Sequence, residues 1–228
     1  GTVANGALSV GQGGEEYWNI GAGDMPGPAL YGMSGHVKNP GVYEFPTGML
    51  LTDLIYDVCG GMARDTDLKA VVPGGSSVPP VPADQIDGIS MNDESLGEVG
   101  SRTGTFCPLV LDEETDMVSF LRRVAHFYQD ETCGQCTPCR EGTSWLEKIL
   151  ARIDEGEGRM RDIDLLLELC DNMDGGRTIC AFADGAVGPV RATVKRFREE
   201  FVAKCQASVH PVSTEVSAGA ESAVAATE

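Results

Sequence analysis

The sequence predicts an α+β protein in which a small sheet, crossed by one helix, is followed by a bundle of four helices. Up to about residue 112, short apolar segments alternate with turns rich in glycine and proline, which is typical of strands. After that residue, apolar side chains recur with the 3.6-residue period of amphipathic helices. The change of period separates the two parts of the chain.

Residues 29–112 are expected to form the sheet. Four buried strands are predicted, at residues 29–34, 41–45, 69–72 and 108–111. A short helix over residues 50–58 carries its apolar residues on one face and ends at Gly60-Gly61. The long loop at residues 73–93 begins Pro73-Gly-Gly-Ser-Ser77. We interpret this loop as packing against another domain or subunit, in preference to a backbone cradle for an anion.

Residues 113–205 are expected to form the helical bundle. Four apolar stripes with short connections between them predict its helices, at residues 117–128, 146–153, 163–173 and 190–201. We expect the second helix to begin near Thr143 and the fourth at Pro189, because proline favours the first helical turn. Residues 206–228 are rich in alanine, serine, threonine, valine and glutamate without a period, which predicts a disordered tail.

The composition excludes several classes of partner. The chain has 228 residues, with 17 lysines and arginines against 35 aspartates and glutamates, so its formal charge is 17 − 35 = −18. A sequence pI near 4.4 argues against nucleic acid or an anionic membrane as a direct partner. The sequence contains no apolar run of about 18 residues, so we expect no direct membrane insertion.

Eight cysteines carry the chemical signal of the sequence. They are too sparse for a disulfide framework, and three of them, Cys133, Cys136 and Cys139, fall within seven residues. Three thiolates at this spacing can bind three corners of a cubane iron–sulfur cluster, and a distant cysteine such as Cys180 can bind the fourth. Zinc is the alternative, but structural zinc sites usually draw their ligands from two pairs, and Cys180 has no close neighbour.

The surroundings of this loop suit a negatively charged cluster. The N-terminus of the helix after the loop, the side chain of Arg140, and backbone N–H groups near Gly134 and Gly142 would all favour bound negative charge. The remaining cysteines are interpreted as small buried residues or spare thiols, with Cys205 the candidate for an exposed one. They are Cys59, Cys107, Cys170 and Cys205.

At this loop the sequence resembles a known family. Residues 131–143, Glu-Thr-Cys-Gly-Gln-Cys-Thr-Pro-Cys-Arg-Glu-Gly-Thr, followed by Trp145-Leu146, resemble the cluster loop of the NADH-binding flavoprotein subunit of respiratory complex I. Shorter similarities occur at residues 34–37, 40–43, 73–78 and 178–181, so the resemblance covers roughly residues 15–204.

The resemblance implies a specific fold and site. It implies a small β-grasp-like (ubiquitin-like) domain at residues 29–112, followed at 113–205 by a four-helix bundle that binds a [4Fe–4S] cluster. The implied ligands are Cys133, Cys136, Cys139 and Cys180. It also implies FMN and NADH sites in a domain expected upstream of Gly1, of which the glycine-rich residues 1–28 would be the end.

The implied function is electron transfer within an NADH:quinone oxidoreductase. Electrons would pass singly from FMN, reduced by NADH, through the cluster to clusters of partner subunits in the NADH dehydrogenase module. We assign no catalytic residue and expect this segment alone not to oxidise NADH. The expected location is the cytoplasm or the cytoplasmic face of the inner membrane, or the matrix face in mitochondria.

Two other functions stay open at this point. After Cys180 the chain reads Phe182-Ala-Asp-Gly-Ala-Val-Gly-Pro189, which departs from the usual family sequence. Flavoprotein subunits of soluble NAD-linked hydrogenases and formate dehydrogenases are similar, so the same role in one of those enzymes is an alternative. The other is a zinc-stapled interaction module without catalytic function.

Overall fold

The computed structural model describes residues 2–22 and 25–207 and has the predicted α+β architecture. Its sheet is mixed and has five strands in the order β2-β1-β5-β3-β4. The strands are β1 (Pro28–Gly35), β2 (Gly41–Pro46), β3 (Leu68–Val72), β4 (Val81–Pro82) and β5 (Leu109–Asp112). Each of the four predicted strands is present, with ends that differ by at most one residue.

Helices make up most of the remaining secondary structure. Within the described residues the α-helices are α1 (Thr2–Gln12), α2 (Gly14–Trp18), α3 (Leu51–Asp53), α4 (Asp93–Glu98), α5 (Met117–Glu131), α6 (Thr137–Asp154), α7 (Met160–Met173), α8 (Phe182–Arg196) and α9 (Arg198–Ala207). A π-helical turn, Leu54–Val58, continues α3, so the helix predicted at 50–58 is present but changes its hydrogen-bond period. None of the helices among these residues is both long and apolar enough to cross a membrane.

The sheet is organised around β1. This strand pairs antiparallel with β2, from Pro28 opposite Pro46 to Met33 opposite Gly41. On its other side it pairs parallel with β5, where Ser34 lies opposite Leu109. Strand β3 is antiparallel to both β5 and β4. Because β5 leads directly into α5, the sheet fixes the start of the helical part.

The fourth predicted helix differs from the expectation at Pro189. Helix α8 begins at Phe182, seven residues earlier, and contains Pro189 in its interior. Proline removes one backbone hydrogen bond from a helix, but the turn before it is anchored by Ala183, Ala186 and Val187, which are all buried. The apolar stripe then continues past Phe197, where α8 ends and α9 begins.

The sheet and the helices share a buried core. Ala70, Val72 and Leu111 from the sheet pack with Met117, and Phe197 joins the same cluster. Across this junction the Arg196 guanidinium donates hydrogen bonds to backbone carbonyls of the sheet part; the acceptors are Pro80, Val99 and Gly100. An arginine that binds several carbonyls holds the two parts in one relative orientation.

The glycine-rich loop contacts two helices of the same chain. Ser76 Oγ lies 3.3 Å from Tyr128 Oη on α5. A Cβ atom on Gly188 of α8 would lie 3.3 Å from the Ser77 carbonyl oxygen. The loop therefore packs on α5 and α8, contacts that the sequence did not predict; packing against another domain or subunit stays a prediction.

Most of the predicted disordered tail lies outside the residues that the structure describes. Residues 208–228 lie outside the described part of the chain, and residues 206–207 form the end of α9. The glycine-rich residues 2–18 contain the short helices α1 and α2. These helices were not predicted; the sequence indicated only a glycine-rich end segment there.

A charged cluster joins α5, α6 and α9 and predicts a pH dependence. Lys204 Nζ lies 2.6 Å from carboxylate oxygens of both Asp116 and Asp154. Burial raises the pKa of the Asp154 carboxyl, but hydrogen bonds from Lys204, Ser119 and Arg122 outweigh burial and hold the pKa below its usual value. A depressed carboxyl pKa stabilises the fold above the unfolded-state pKa of about 4, and this contribution is lost as the pH falls through the lower folded-state pKa.

We therefore expect Lys204→Met to lower the free energy of unfolding by about 1.5–3 kcal/mol at pH 7. The difference from the unchanged chain should shrink below about pH 4, where the carboxyls gain protons. Urea unfolding of both proteins at pH 7 and at pH 3 tests this expectation. A constant difference between pH 7 and pH 3 would show that Lys204 acts through packing instead.

Candidate metal centre

The loop between α5 and α6 carries three of the four candidate ligands. Helix α5 ends at Glu131, and the extended backbone of its C-cap residue Thr132 (φ −65°, ψ 133°) directs the chain out of the helix. Gly134 has φ of +74°, a conformation that favours glycine, and so allows the sharp turn between Cys133 and Cys136. Cys136 is the N-cap residue of α6. The loop is therefore short and is held by a helix at each end.

Helix α6 begins six residues earlier than predicted, at Thr137. Pro138 occupies the first helical turn, where a missing N–H costs nothing, and so favours this start. Cys139 thus lies inside the first turn of the helix and is only 6% exposed. Gly142, expected before the helix, lies within it on the face that packs against Met173 of α7.

The fourth cysteine comes from the connection between α7 and α8. The hydroxyl of Thr178 donates to the Cys180 carbonyl oxygen at 2.9 Å and stabilises the turn. In the same turn the backbone N–H of Ile179 donates to Cys136 Sγ at 3.5 Å. This hydrogen bond joins the segment that carries Cys180 to the loop of the other three cysteines.

The four cysteines differ in exposure. Cys133 and Cys180 are exposed, Cys136 is partly buried and Cys139 is buried. Burial is the largest cause that raises the pKa of the Cys139 thiol; a hydrogen bond with Thr132 lowers it, and the charges of the other three cysteines raise it further. Thiolates that repel one another in this way are stabilised by a bound cationic group.

Two helix N-termini converge on the candidate site. Cys136 and Cys139 lie at the start of α6, and Cys180 lies two residues before the start of α8. Both helices have at least 15 residues, so each places a partial positive charge and unpaired N–H groups at an N-terminus that carries or follows a candidate ligand. Only the dipole of α6 was foreseen from the sequence, because α8 was expected to start at Pro189.

Arg140 supports the loop. Its Nη1 donates to the Gly134 carbonyl oxygen at 2.7 Å, and its Nη2 donates to Thr137 Oγ1 at 3.4 Å. The predicted positive charge beside the third cysteine is therefore present. The guanidinium also ties the tip of the loop to the first turn of α6.

The chemistry of the donor set suits an iron–sulfur cluster. Within residues 2–22 and 25–207, no three histidine, cysteine, aspartate or glutamate side chains lie close enough to hold one metal ion. Tetrahedral zinc needs four thiolates at about 2.3 Å from one atom, whereas a cubane cluster binds each thiolate at a separate iron. Four cysteine thiolates, with an N–H donor to one of them and two helix N-termini close by, suit the cubane, so the donor set fits a [4Fe–4S] cluster.

The other four cysteines take no part in this site. Cys59, Cys170 and Cys205 are buried, and burial raises the pKa of each, to about 12 for Cys170. The exposed thiol among the four is Cys107, not Cys205 as suggested from the sequence. All eight cysteines lie within the described residues and no two form a disulfide.

Sequence reasoning missed two groups at the site. The Thr132 hydroxyl lies 3.2 Å from Cys139 Sγ, and the Ile179 N–H reaches Cys136. Thr132 stands directly before the cysteine loop, and a hydroxyl residue at a helix end beside candidate ligands was an available signal. The Ile179 contact carries no sequence signal because it depends on how α8 begins.

A loop and a turn bring four cysteines to two helix N-termini, an arrangement typical of proteins that bind an iron–sulfur cluster through thiolates. Residues 119–204 match the NADH-ubiquinone oxidoreductase-F iron-sulfur binding region, and residues 30–100 match an SLBB domain. The first match confirms the predicted iron–sulfur cluster.

Relatives identified by sequence similarity agree with this match. The F 2 subunit of the NADH-quinone oxidoreductase of Rhizobium meliloti is 44% identical over 184 residues, covering 81% of this chain and 43% of the relative. The corresponding F subunit of Escherichia coli is 41% identical over 202 residues, covering 89% of this chain and 45% of the relative. The chain is thus related to the F subunits of NADH-quinone oxidoreductases, as the cysteine loop predicted, and spans less than half of their length.

A solved structure shares the fold. A chain of an NAD+-reducing [NiFe]-hydrogenase in the H2-reduced state superposes with a TM-score of 0.78 at 30% identity. The superposition covers 90% of this chain and 34% of that chain. The likeness to NAD-linked hydrogenases, expected from the sequence, is present as well.

Proposed function

We propose that this chain is the electron-transfer part of an NADH:quinone oxidoreductase flavoprotein subunit, with Cys133, Cys136, Cys139 and Cys180 as ligands of a [4Fe–4S] cluster. The observation that carries the proposal is the convergence of these cysteines within the matched iron–sulfur binding region. When bound, such a cluster accepts and releases one electron at a time.

The protein supplies binding and electrostatics. The loop and the turn before α8 present the four sulfurs, and Arg140 fixes the loop against α6. The N–H group of Ile179 and the two helix N-termini stabilise negative charge on the ligated sulfurs. Burial of Cys139 excludes water from one side of the site.

We further propose a β-grasp-like, ubiquitin-like domain at residues 29–112 and a four-helix iron–sulfur-binding bundle at residues 113–205. The strand order β2-β1-β5-β3-β4, with a helix after the second strand, supports the first. The four-helix bundle is supported by α5, α6 and α7 as its first three helices. The consecutive helices α8 and α9 together carry the fourth apolar stripe. Residues 1–28 and 206–228 would then be an end segment of the preceding domain and a tail.

The activity of the whole enzyme is also part of the proposal. We assign FMN and NADH to a domain outside this segment, electron acceptors to partner subunits of the NADH dehydrogenase module, and the assembly to the cytoplasmic or matrix face of the membrane. The segment alone would lack NADH oxidation.

The same role in an NAD-linked hydrogenase is the second candidate, and the likeness to the hydrogenase chain favours it. The quinone-linked relatives have the higher sequence identity to this chain, 41–44% against 30% for the hydrogenase chain.

Anaerobic purification of the 228-residue chain tests the cluster and its ligands. We expect about four irons and four sulfides per chain, and an EPR signal after reduction with dithionite. Cys136→Ser should lose most of the iron and the signal, because it removes one of the four thiolates. Cys107→Ser is the matched control, since Cys107 is exposed and lies outside the site.

Two outcomes would contradict the proposal. Zinc at one per chain without iron would show a single-ion site. Full cluster content in the Cys136→Ser protein would overturn the ligand assignment.

A further inference from the structure

We propose that Thr132 raises the reduction potential of the bound cluster through a hydrogen bond from its hydroxyl to Cys139 Sγ. The inference rests on the proposed function, because it takes Cys139 as a ligand of the cluster. It assigns Thr132 as a positioning residue that acts through the ligand and does not itself bind iron.

The geometry fixes the direction of this hydrogen bond. Thr132 Oγ1 lies 3.2 Å from Cys139 Sγ, and either atom of a neutral pair could donate. A ligating cysteine is a thiolate without a proton, so its sulfur can only accept and the Thr132 hydroxyl must donate. The Gly134 N–H donates to Thr132 Oγ1 at 3.4 Å, which occupies an acceptor position of that oxygen and favours donation of the hydroxyl proton to sulfur.

Cys139 is the ligand at which this contact matters most. It is 6% exposed, whereas Cys133 and Cys180 are exposed and can receive hydrogen bonds from water. A hydrogen bond in a water-poor environment is electrostatically stronger than the same bond in water. Thr132 therefore supplies a donor at the sulfur that solvent reaches least.

The effect on the potential has a defined sign. One-electron reduction adds a negative charge that is shared by the ligating sulfurs, and no bond to Thr132 forms or breaks. The hydroxyl proton stays on Thr132, with its positive end directed at Cys139 Sγ. This dipole stabilises the reduced state more than the oxidised state, so its removal makes the potential more negative.

A purely structural role of Thr132 predicts a different result. Thr132 ends α5, so its loss could alter the end of that helix and the loop after it. Such a change would lower stability or cluster content without a fixed direction for the potential. The potential of a fully loaded protein therefore separates the two roles.

The test is an EPR-monitored redox titration of the purified, cluster-loaded 228-residue chain. Thr132→Val keeps the shape of the side chain and removes the donor, and we expect on the order of tenfold less reduced cluster at a fixed potential, equivalent to about −59 mV. Thr132→Ser keeps the donor and should restore a potential near that of the unchanged chain. Thr143→Val is the matched control, because the Thr143 hydroxyl donates to the Cys139 carbonyl oxygen at 2.9 Å and not to its sulfur.

Each outcome has one meaning. An unchanged potential in Thr132→Val at full iron content would overturn the inference, as would an equal shift in Thr143→Val. If Thr132→Val does not hold the cluster, Thr132→Ala takes its place; failure of both would show that the hydroxyl is needed for assembly and would also overturn it. Absence of a cluster from the unchanged chain would instead refute the proposed function.

Discussion

Replacing Gly74 by alanine is expected to lower the free energy of unfolding by about 3 kcal/mol. A Cβ atom at this position would overlap the Thr103 carbonyl oxygen and lie 2.7 Å from the Gly104 Cα atom. Both neighbours belong to the backbone, so no side-chain rotation can relieve the overlap. The start of the glycine-rich loop exists in this form because two chain segments cross there without side chains between them.

The crossing is also hydrogen-bonded. The backbone N–H and the side-chain hydroxyl of Thr105 both donate to the Gly74 carbonyl oxygen at 3.0 Å. Displacement of Gly74 would stretch both bonds in addition to the overlap itself. The expected loss therefore combines steric strain with weakened hydrogen bonds.

Urea unfolding of Gly74→Ala measures this loss. Gly97→Ala is the matched control, because Gly97 lies in helix α4 and a Cβ atom there would meet nothing within 4 Å. That control should be neutral or more stable by about 0.5–1 kcal/mol, since alanine favours helices over glycine. Equal midpoints for Gly74→Ala and the unchanged chain would show that the loop is more adaptable than its packing indicates.

The second large effect is expected at Gly142, where valine should cost about 2–3 kcal/mol. A Cβ atom on Gly142 would overlap Met173 Sδ and lie 2.6 Å from Met173 Cγ. Met173 is 1% exposed and packs within the helical core, so it has little room to move. Helices α6 and α7 approach this closely only because residue 142 has no side chain.

The same substitution should also reduce the iron content. Gly142 lies three residues after Cys139, in the same part of α6. Displacement of α6 from α7 would move that ligand relative to Cys180, which follows α7. Iron analysis of the purified Gly142→Val protein checks this, alongside its unfolding midpoint.

A double-mutant cycle identifies the cause. Met173→Ala removes the atoms that valine would overlap, so it should cost less in the Gly142→Val background than in the unchanged chain. Additive losses would mean that Gly142→Val acts through another contact or through the unfolded chain.

The period of the apolar residues predicted the strands and helices that bury one face in a core. Strands β1 and β3 were predictable because buried residues such as Tyr31, Met33 and Val71 repeat along them between turn signals. Helices α5, α6 and α7 were predictable from their 3.6-residue stripes. The iron–sulfur cluster was predictable because cysteine spacing is a chemical constraint that does not depend on the rest of the fold.

Elements fixed by tertiary contacts were not predictable in the same way. The first turns of α8 contain glycine and alanine, which give little local preference, and packing against the core decides their conformation. Strand β4 has two residues, Val81–Pro82, too few for a pattern. The two contacts with sulfur, made by Thr132 and Ile179, depend on where α5 ends and α8 begins.

The pairing of β1 with β5 has a consequence for the order of folding. Ser34 lies opposite Leu109, so the central strand pair joins residues 109 − 34 = 75 positions apart. During synthesis the sheet cannot close until β5 has left the ribosome, and the entropy of closing so long a loop must be overcome first. The pairing of α5 with α6 needs only the short loop that carries Cys133 and Cys136. We expect this helical hairpin to form quickly once synthesised, so the loop that carries the candidate ligands would take shape early in folding.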